Sequence, residues 1–359
     1  MPLIWCSISG HGFGHAAQVI SVLNALATQA SGLRAVLRTT VPSWFFDRLE
    51  LPWEISPAEQ DIGCIQDGPL AIDYPETFAR HVQFQSQWDD RVAAEVREMR
   101  ARRPTLVLSD ISWLAIEAGT RLEIPCIALC NLSWDQVLEP VITPGNLEHR
   151  ALLAQIRAAY GKAELMVRLA PGLPMPAFSK IADVGPVAQS SSTLPIVLHD
   201  HLPIPPEDRT VLVGFGGISL NNLPFEHMEQ IAGYQFLVSG AVPPGLHRCH
   251  AANSLPASFS TLLVSTDLIM TKPGYSTITE AVARNRPVLY VRRYNFADEE
   301  PMVQYLHRYG RGVELSAKEF VRGAWKTGLQ RLQETPAPPE HPPSPTGAFE
   351  AAGILAKYF

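Results

Sequence analysis

The sequence is poor in cysteine and has no long run of basic or of apolar residues. Its five cysteines are scattered and odd in number, which excludes a disulfide framework, and the spacing of Cys126 and Cys130 is not that of zinc ligands. The net charge is −6, so nucleic acid is not expected as a partner. No apolar stretch is long enough to span a bilayer, and the N-terminus lacks the basic start of a signal peptide. We therefore expect a cytoplasmic protein with reduced, mostly buried thiols.

The abundant features are those of a folded α/β protein. Apolar residues make up 46% of the 359 residues and charged residues 18%, and this length allows two domains. Short apolar runs alternate with amphipathic segments, which predicts βαβ units and parallel sheets. In the first half the predicted strands are Leu3–Ser9, Ala35–Thr39, Thr105–Ser109, Cys126–Leu129, Leu165–Arg168 and Ile181–Gly185. Helices are predicted at Ala16–Ala27, Asp89–Arg102 and Trp113–Leu122.

The second half repeats the order of strand, glycine turn and helix. Residues 189–208, rich in serine and proline, predict an interdomain linker. Strands are predicted at 210–213, Tyr234–Val238, Leu262–Val264, Leu268–Met270 and Val288–Val291. The proline-rich segment 335–346 cannot continue a helix, so a last helix is predicted at Gly347–Phe359. The expected division is a first domain at 1–188, the linker, a second domain at 209–334 and a C-terminal segment at 335–359.

A glycine-rich turn with two histidines follows the first predicted strand. Its residues include Gly10, His11, Gly12, Gly14 and His15. A strand, a glycine turn and a helix N-terminus together present N–H groups to an anion. A dinucleotide-binding fingerprint would require glycine where His15 stands, and it would require an acidic residue near position 40, where the chain has threonine. The turn therefore indicates a catalytic site, since imidazole exchanges a proton near neutral pH.

A second turn lies in the segment 271–281. Lys272 follows a predicted strand, and a helix is expected to start near Ser276 or Thr277. The helix dipole alone would favour a phosphate there by roughly 1 kcal/mol. Thr277 and Glu280 also fit a capping box, which is a purely structural alternative. The presence of Lys272 favours the anion-binding interpretation over the capping box, because a cation beside a helix N-terminus is unfavourable unless an anion binds there.

A charged loop at 292–301 follows the predicted strand Val288–Val291. Ligands of open α/β sheets bind at the carboxyl ends of the strands, so this loop is a candidate for reading a sugar or a base. A solvated surface loop is the alternative. Two α/β domains leave a cleft between them, and facing glycine turns suit a substrate with two halves.

These turns together resemble those of the GT-B glycosyltransferases, most closely the MurG-type N-acetylglucosaminyl transferases and related proteins. The layout matches over nearly the whole chain, whereas the specific motifs occupy short stretches. The resemblance implies the GT-B fold, in which two Rossmann-like parallel-sheet domains face across a cleft and the last helix packs back across it. It implies an inverting glycosyltransferase of the hexosyltransferase type that needs no bound metal ion.

The resemblance also implies the partners. The donor is a nucleotide sugar, expected to be UDP-linked, and it is a substrate, so no cofactor is expected. The acceptor is a small molecule or a lipid-linked one, and the second case would bring the protein to the inner face of the membrane.

The resemblance further assigns roles to residues of this chain. The first turn, with Gly10, His11, Gly12 and Gly14, lies near the acceptor and the reaction centre. The donor-binding residues are Gly216, Gly217, Lys272, Gly274, Tyr275, Ser276, Thr277, Glu280, Asp298, Glu299 and Glu300. Among these, the turn at 274–277 takes the diphosphate, and Glu280 accepts hydrogen bonds from the ribose hydroxyls. Many relatives read the donor sugar with an acidic–amide pair; this chain has no glutamine beside Asp298, although Gln304 follows.

The catalytic candidates are His15 and Asp110. An inverting transferase needs a base for the acceptor hydroxyl, and His15 is the first candidate. Asp110 ends a predicted strand and would orient His15 in the same cleft. His11 is the rival base. In the structural alternative, His15 caps its helix or bonds a backbone carbonyl, and Asp110 caps the helix that follows Ser112.

Other functions remain open on the same fold. A nucleotide-sugar hydrolase or 2-epimerase would use the site without the acceptor, and a non-catalytic protein would only bind the nucleotide sugar. The chain contains no Asp-x-Asp and no cluster with metal-ligand spacing, so no metal is expected.

Overall fold

The computed structural model describes residues 2–68, 70–188, 194–216 and 223–359. Strands and helices alternate along the chain and form two parallel sheets, one of seven strands and one of six. The predicted α/β class with two parallel-sheet domains is confirmed. The five cysteines are free and buried, as expected. No described helix is long and apolar enough to cross a membrane.

The first sheet has the strand order β3-β2-β1-β4-β5-β6-β7. Its strands are β1 Leu3–Ile8, β2 Arg34–Arg38, β3 Trp53–Ile55, β4 Leu106–Asp110, β5 Cys126–Cys130, β6 Leu165–Leu169 and β7 Ile181–Val184. Its helices are α1 Phe13–Ala27, α2 Tyr74–Ser86, α3 Trp88–Arg102, α4 Trp113–Arg121, α5 Trp134–Leu138 and α6 Leu147–Tyr160. The predicted strands of this half are found, and β3 was not predicted because it is only three residues long.

The second sheet has the strand order β10-β9-β8-β11-β12-β13. Its strands are β8 Arg209–Val213, β9 Tyr234–Val238, β10 Cys249–Ala251, β11 Leu268–Thr271, β12 Val288–Val291 and β13 Gly312–Leu315. The helices after β8 are α7 Phe225–Glu229, α8 Phe259–Ser265, α9 Tyr275–Ala283, α10 Glu299–Tyr309, α11 Ala317–Val321, α12 Trp325–Glu334 and α13 Gly347–Leu355.

One predicted strand of the second half is wrong. Leu262–Val264 lies within the helix α8, whose N-cap Ser258 accepts a hydrogen bond from the backbone N–H of Thr261 at 3.1 Å. The three apolar side chains are all buried, and a short buried apolar run does not distinguish a helix from a strand. The serine cap decides for the helix.

The central strands read as continuous apolar runs because both faces of a parallel sheet are covered by helices. In β1, Ile4, Trp5, Cys6 and Ile8 are fully buried. The neighbour of β1 is β4, and Ile8 pairs with Asp110 in register. The carboxyl end of β4 therefore lies beside the turn that follows β1.

The C-terminal helix returns to the first domain. α12 ends at Glu334, before the proline-rich segment, and α13 packs along α1. Its first residue, Gly347, contacts the loop after β7 so closely that an added Cβ would lie 1.9 Å from the carbonyl oxygen of Gly185. Only glycine fits this contact without a shift of the backbone.

We expect Gly347→Ala to lower the free energy of unfolding by about 1–3 kcal/mol, because the new methyl group overlaps backbone atoms that have no free space to move into. The matched control is Gly353→Ala in the same helix, where the nearest contact of the added Cβ is ordinary, 3.7 Å from Gln29 Oε1. Denaturant titration measures both variants. Equal free energies of unfolding for the two variants would contradict the close contact between α13 and the loop after β7.

Candidate functional site

The two glycine-rich turns face each other across a cavity of about 100 Å³ between the domains. The hydroxyl of Ser276 donates to the carbonyl oxygen of Gly14 at 3.4 Å. Gly12 and Gly216 have φ values of 83° and 72°, which L side chains rarely adopt. A Cβ on Gly12 would lie 3.5 Å from the carbonyl oxygen of Gly216. This is an ordinary contact distance, so it is the backbone conformation of the two turns that favours glycine at these positions.

His15 and Asp110 form a buried pair beside this cavity. His15 Nδ1 lies 3.0 Å from Asp110 Oδ1, and the backbone N–H of Ser9 donates to Asp110 Oδ2 at 3.2 Å. Because the carboxylate accepts, Nδ1 carries the ring proton and Nε2 of the neutral imidazole keeps its lone pair. His15 also lines the cavity.

Neither residue of this pair caps a helix. α1 has Gly12 as its N-cap, with no side-chain capping bond from a described residue. α4 is capped by Ser112, whose side chain accepts from the backbone N–H of Ala115. The structural alternatives for His15 and Asp110 as helix caps are therefore wrong.

The two histidines of the first turn have opposite pKa shifts. Burial lowers the pKa of His15, but the charge and hydrogen bond of Asp110 outweigh burial, and the pKa lies well above 6.5. Burial, followed by the positive charges of His15, Lys272 and Arg293, holds the pKa of His11 well below 6.5. The surroundings of His15 thus favour its imidazolium form, whereas those of His11 favour the neutral imidazole.

The hydrogen bonds of His11 disfavour it as the base. The backbone N–H of Cys64 donates to Nδ1 at 3.2 Å, so the neutral ring carries its proton on Nε2. The side-chain amide of Gln66 lies 2.9 Å from Nε2. Both ring nitrogens are therefore engaged, and no lone pair is left for a substrate proton.

The second turn ends in a helix N-terminus at the cavity. α9 begins at Tyr275 after the N-cap Gly274, with no side-chain capping bond from a described residue. Thr277 thus lies inside the first turn, and the capping box with Glu280 is wrong. Gly274, Tyr275, Ser276 and Thr277 all line the cavity, as does Lys272. Burial, and then the charge of Arg293, lower the pKa of Lys272 to about 8.

The acidic residues of the loop after β12 occupy different environments. Asp298 lines the cavity, and burial raises its pKa to about 6. Glu299 is buried and pairs with Arg293 at 2.5 Å. The side chain of Glu300 is 56% exposed, and it accepts from Gln304 at 2.9 Å. Of the three donor-binding residues predicted in this loop, only Asp298 lines the cavity.

The remaining predicted residues are placed as follows. Glu280 is buried on α9, below the first turn of that helix. A Cβ on Gly10 would lie 2.2 Å from Thr40 Oγ1, so this glycine permits close packing inside the first domain. Gly217 lies outside the described residues.

Several cavity residues were not predicted, among them Gln18, Gln66 and Asn131, whereas Arg293 and Phe296 belong to the predicted loop 292–301 without having been singled out. Asn131 directly follows β5, the neighbour of β4. The rule that placed Asp110 at the carboxyl end of its strand would also have found Asn131. Gln66 lies in a loop without a recognisable pattern.

The structure also brings Cys130 close to the buried pair of His15 and Asp110. The ligand atoms of His15, Asp110 and Cys130 lie within 4.8 Å of one another and could hold a metal ion. Burial raises the pKa of Cys130, which favours the thiol over the thiolate that a metal requires. The absence of a catalytic metal stays a prediction.

Comparisons with known proteins give one curated relative and many structures. No protein-family model matches the sequence. An L-arabinokinase from Arabidopsis thaliana is 26% identical over 332 residues, which cover 90% of this chain. The chain spans only about a third of that relative, 31% of its length.

Solved glycosyltransferases match over the whole chain. The glycotransferase of kitacinnamycin has a TM-score of 0.65 at 14% identity, covering 100% of this chain and 99% of the other. Phytolacca americana UGT2, complexed with UDP-2-fluoro-glucose and pterostilbene, has a TM-score of 0.61 at 17% identity, with coverages of 99% and 94%. Arabidopsis thaliana UGT89C1, complexed with UDP, has 0.61 at 14%, with coverages of 99% and 98%. These likenesses establish the fold, and the predicted GT-B architecture is confirmed.

We expect the imidazole of His15 to titrate well above pH 6.5, and Asp110→Asn to bring its pKa down, because the amide removes the charge that stabilises the imidazolium. NMR titration of the ring C–H signals measures this, with His11 as an internal control that stays neutral above pH 6.5. The raised pKa stabilises the folded state fully below about pH 6.5, and this contribution is lost as the pH rises through the folded pKa. An unchanged His15 pKa in Asp110→Asn would contradict the pairing.

Proposed function

We propose that the protein is an inverting glycosyltransferase that moves a sugar from a nucleotide sugar to an acceptor hydroxyl, with His15 as the general base. The observation that carries this proposal is the His15–Asp110 pair, which shares one cavity with the N-terminus of α9. The likeness to UGT structures complexed with UDP and UDP-2-fluoro-glucose supports a UDP-linked donor.

His15 removes the acceptor proton in this proposal. Asp110 holds the proton on Nδ1, so the lone pair of Nε2 is free once the imidazolium has lost its proton to solvent. The acceptor oxygen attacks the anomeric carbon while the bond from that carbon to the diphosphate oxygen breaks. The acceptor proton ends on Nε2, and Asp110 stabilises the resulting imidazolium. A positioned base of this kind contributes about 10²–10⁴-fold in rate.

The second turn stabilises the leaving group. The diphosphate gains negative charge as its bond to the sugar breaks. The first N–H groups of a helix have no intrahelical acceptor, so those of α9 are available to the phosphates, together with the ammonium of Lys272. Glu280 on the same helix accepts hydrogen bonds from the ribose hydroxyls. No metal ion and no cofactor take part.

The division of the chain follows the chemistry. The first domain, 1–188, carries the base and the acceptor side, and the second domain, 209–334, carries the donor side. The segment 335–359 joins the second domain back to the first through α13. We propose a cytoplasmic location, where nucleotide sugars are made.

A hydrolase is the second candidate function. The cavity of about 100 Å³ has room for water, and a water molecule can take the place of the acceptor. A hydrolase would release free sugar from the donor at full rate without any acceptor. A transferase would do so slowly.

We expect UDP to bind more tightly than GDP or dTDP in calorimetric titrations, and Glu280→Gln to weaken UDP binding about tenfold through the loss of a charged acceptor for the ribose. Glu334→Gln at the end of α12 is the matched control, since this glutamate is exposed. UDP affinity that is unchanged in Glu280→Gln would refute the ribose role.

We expect His15→Ala to reduce kcat about 10²–10⁴-fold while UDP affinity is retained, because the base acts only on the acceptor. His341→Ala, on the exposed proline-rich segment, is the control. In the unmodified protein, kcat should rise with pH up to the raised pKa of His15, since the imidazolium cannot accept a proton. Full activity of His15→Ala at any pH would exclude the base assignment.

A further inference from the structure

The walls of the cavity carry buried polar atoms that no described residue satisfies. They belong to four side chains that line the cavity: Gln66, Asn131, Arg293 and Asp298. Asn131, Arg293 and Asp298 are at least nine-tenths buried. Buried polar atoms in native proteins are nearly always hydrogen-bonded, so this concentration of exceptions points to a ligand that supplies the missing partners.

Two of the free groups are amide donors. Asn131 Oδ1 accepts from Gln18 Nε2 at 3.2 Å, which leaves the Asn131 nitrogen without a partner among the described residues. The amide of Gln66 meets the Nε2–H of His11, which can only donate. The structure places Gln66 Nε2 toward His11 and leaves Gln66 Oε1 free, but two donors cannot pair. We therefore assign the flipped amide, in which the oxygen faces His11 and the nitrogen is the free donor.

The other two free groups come from the second domain. Arg293 is held by Glu299 through Nε at 2.5 Å, and its Nη1 is free within the described structure. Asp298 Oδ1 is a free acceptor. Because Glu299 already neutralises Arg293, these groups offer hydrogen bonds more than they offer net charge.

Asn131 and Asp298 face each other from different domains. Burial raises the pKa of Asp298, and a side-chain hydrogen-bond contact with Asn131 is among the effects that lower it, so the two side chains lie close together. The contact is loose, because Asn131 Nδ2 and Asp298 Oδ1 have no well-formed hydrogen bond among the described residues. A hydroxyl group between them would accept from the amide and donate to the carboxylate. One hydroxyl would thus satisfy both residues and join the two domains.

We propose that this cavity takes a small polyhydroxylated acceptor, a monosaccharide, in preference to an aromatic or a lipid acceptor. This inference rests on the proposed function and names its acceptor class. Hydroxyl groups both donate and accept, so they match a wall of three donors and one acceptor. An apolar acceptor would leave the two groups of the first domain, Gln66 and Asn131, unpaired, and sites built to bind hydroxyls reject such ligands strongly.

The loop above the cavity supports a small acceptor. Tyr74 donates to the backbone carbonyl of Asn295 in the second domain, and Leu70 packs against the apolar cluster of that domain. These two contacts join the segment that follows Gln66 to the second domain. The cavity itself is small, about 100 Å³.

Calorimetry on the full chain tests the acceptor class with D-glucose, D-galactose, D-xylose and L-arabinose, each with and without UDP. 4-Nitrophenol and octanol are the apolar probes. We expect at least one monosaccharide to bind at least tenfold more tightly than either apolar probe. Asn131→Ala and Gln66→Ala should each weaken that monosaccharide about tenfold, through the loss of one hydrogen bond, while UDP affinity is retained.

Asn253→Ala, an exposed asparagine after β10, is the matched control. Tighter binding of 4-nitrophenol or octanol, or no binding of any of the four monosaccharides, overturns the inference and leaves the proposed function standing if UDP binds. Failure of UDP to bind contradicts the proposed function, whereas monosaccharide binding that depends on Asn131 and Gln66 would still support the ligand class of the cavity. The Gln66 variant keeps the test valid if Asn131→Ala fails to fold.

Discussion

The hydrogen bond between His15 and Asp110 is the interaction on which the site depends. Asp110 is fully buried, and a buried carboxylate without a partner destabilises a fold by about 3–5 kcal/mol. The strand order supplies its partners, because β4 lies beside β1 and the turn after β1 brings both the N–H of Ser9 and the ring of His15 to the carboxylate. These hydrogen bonds hold together the first glycine turn, the start of α1 and the end of β4. The first turn and the start of α1 in turn form one side of the cavity.

The same turn holds two histidines whose pKa values are pushed apart by their surroundings. His15 has a carboxylate partner, whereas His11 accepts from a backbone N–H and is surrounded by positive charge. Separation of this kind divides roles between two titratable groups. His15 is suited to gain and lose a proton, and His11 is suited to remain a neutral hydrogen-bond donor that positions Gln66 at the cavity wall.

The parts of this structure that could be predicted are those encoded by neighbouring residues. The turns at Gly10–Gly14 and at Gly274 were found because each follows an apolar run, and a parallel α/β order follows from the alternation. Leu262–Val264 was assigned wrongly to a strand because three apolar residues fit the periodicity of a helix as well as that of a strand. The N-cap that identifies the helix, Ser258, lies four residues upstream. Asn131 directly follows β5 and could have been found by the rule that found Asp110. Gln66 depends on the course of a loop and is not visible in a local pattern.

The small cavity implies that the described arrangement is a closed one. Its volume of about 100 Å³ is below the roughly 300–1,000 Å³ of pockets that hold drug-sized ligands, so a nucleotide sugar requires the domains to separate. The contacts between the domains at the cavity include the hydrogen bond from Ser276 to Gly14 and the stacking of His11 on Phe296. The interface between α13 and α1 is by contrast tightly packed, and it lies outside the lining of the cavity. Separation of the domains at the cavity would break the hydrogen bond and the stacking contact, whereas the close contact at Gly347 lies outside the lining of the cavity. Closure would then bring Asn131 and Asp298 onto the ligand from opposite domains, so that the unpaired groups seen here are satisfied when both substrates are bound.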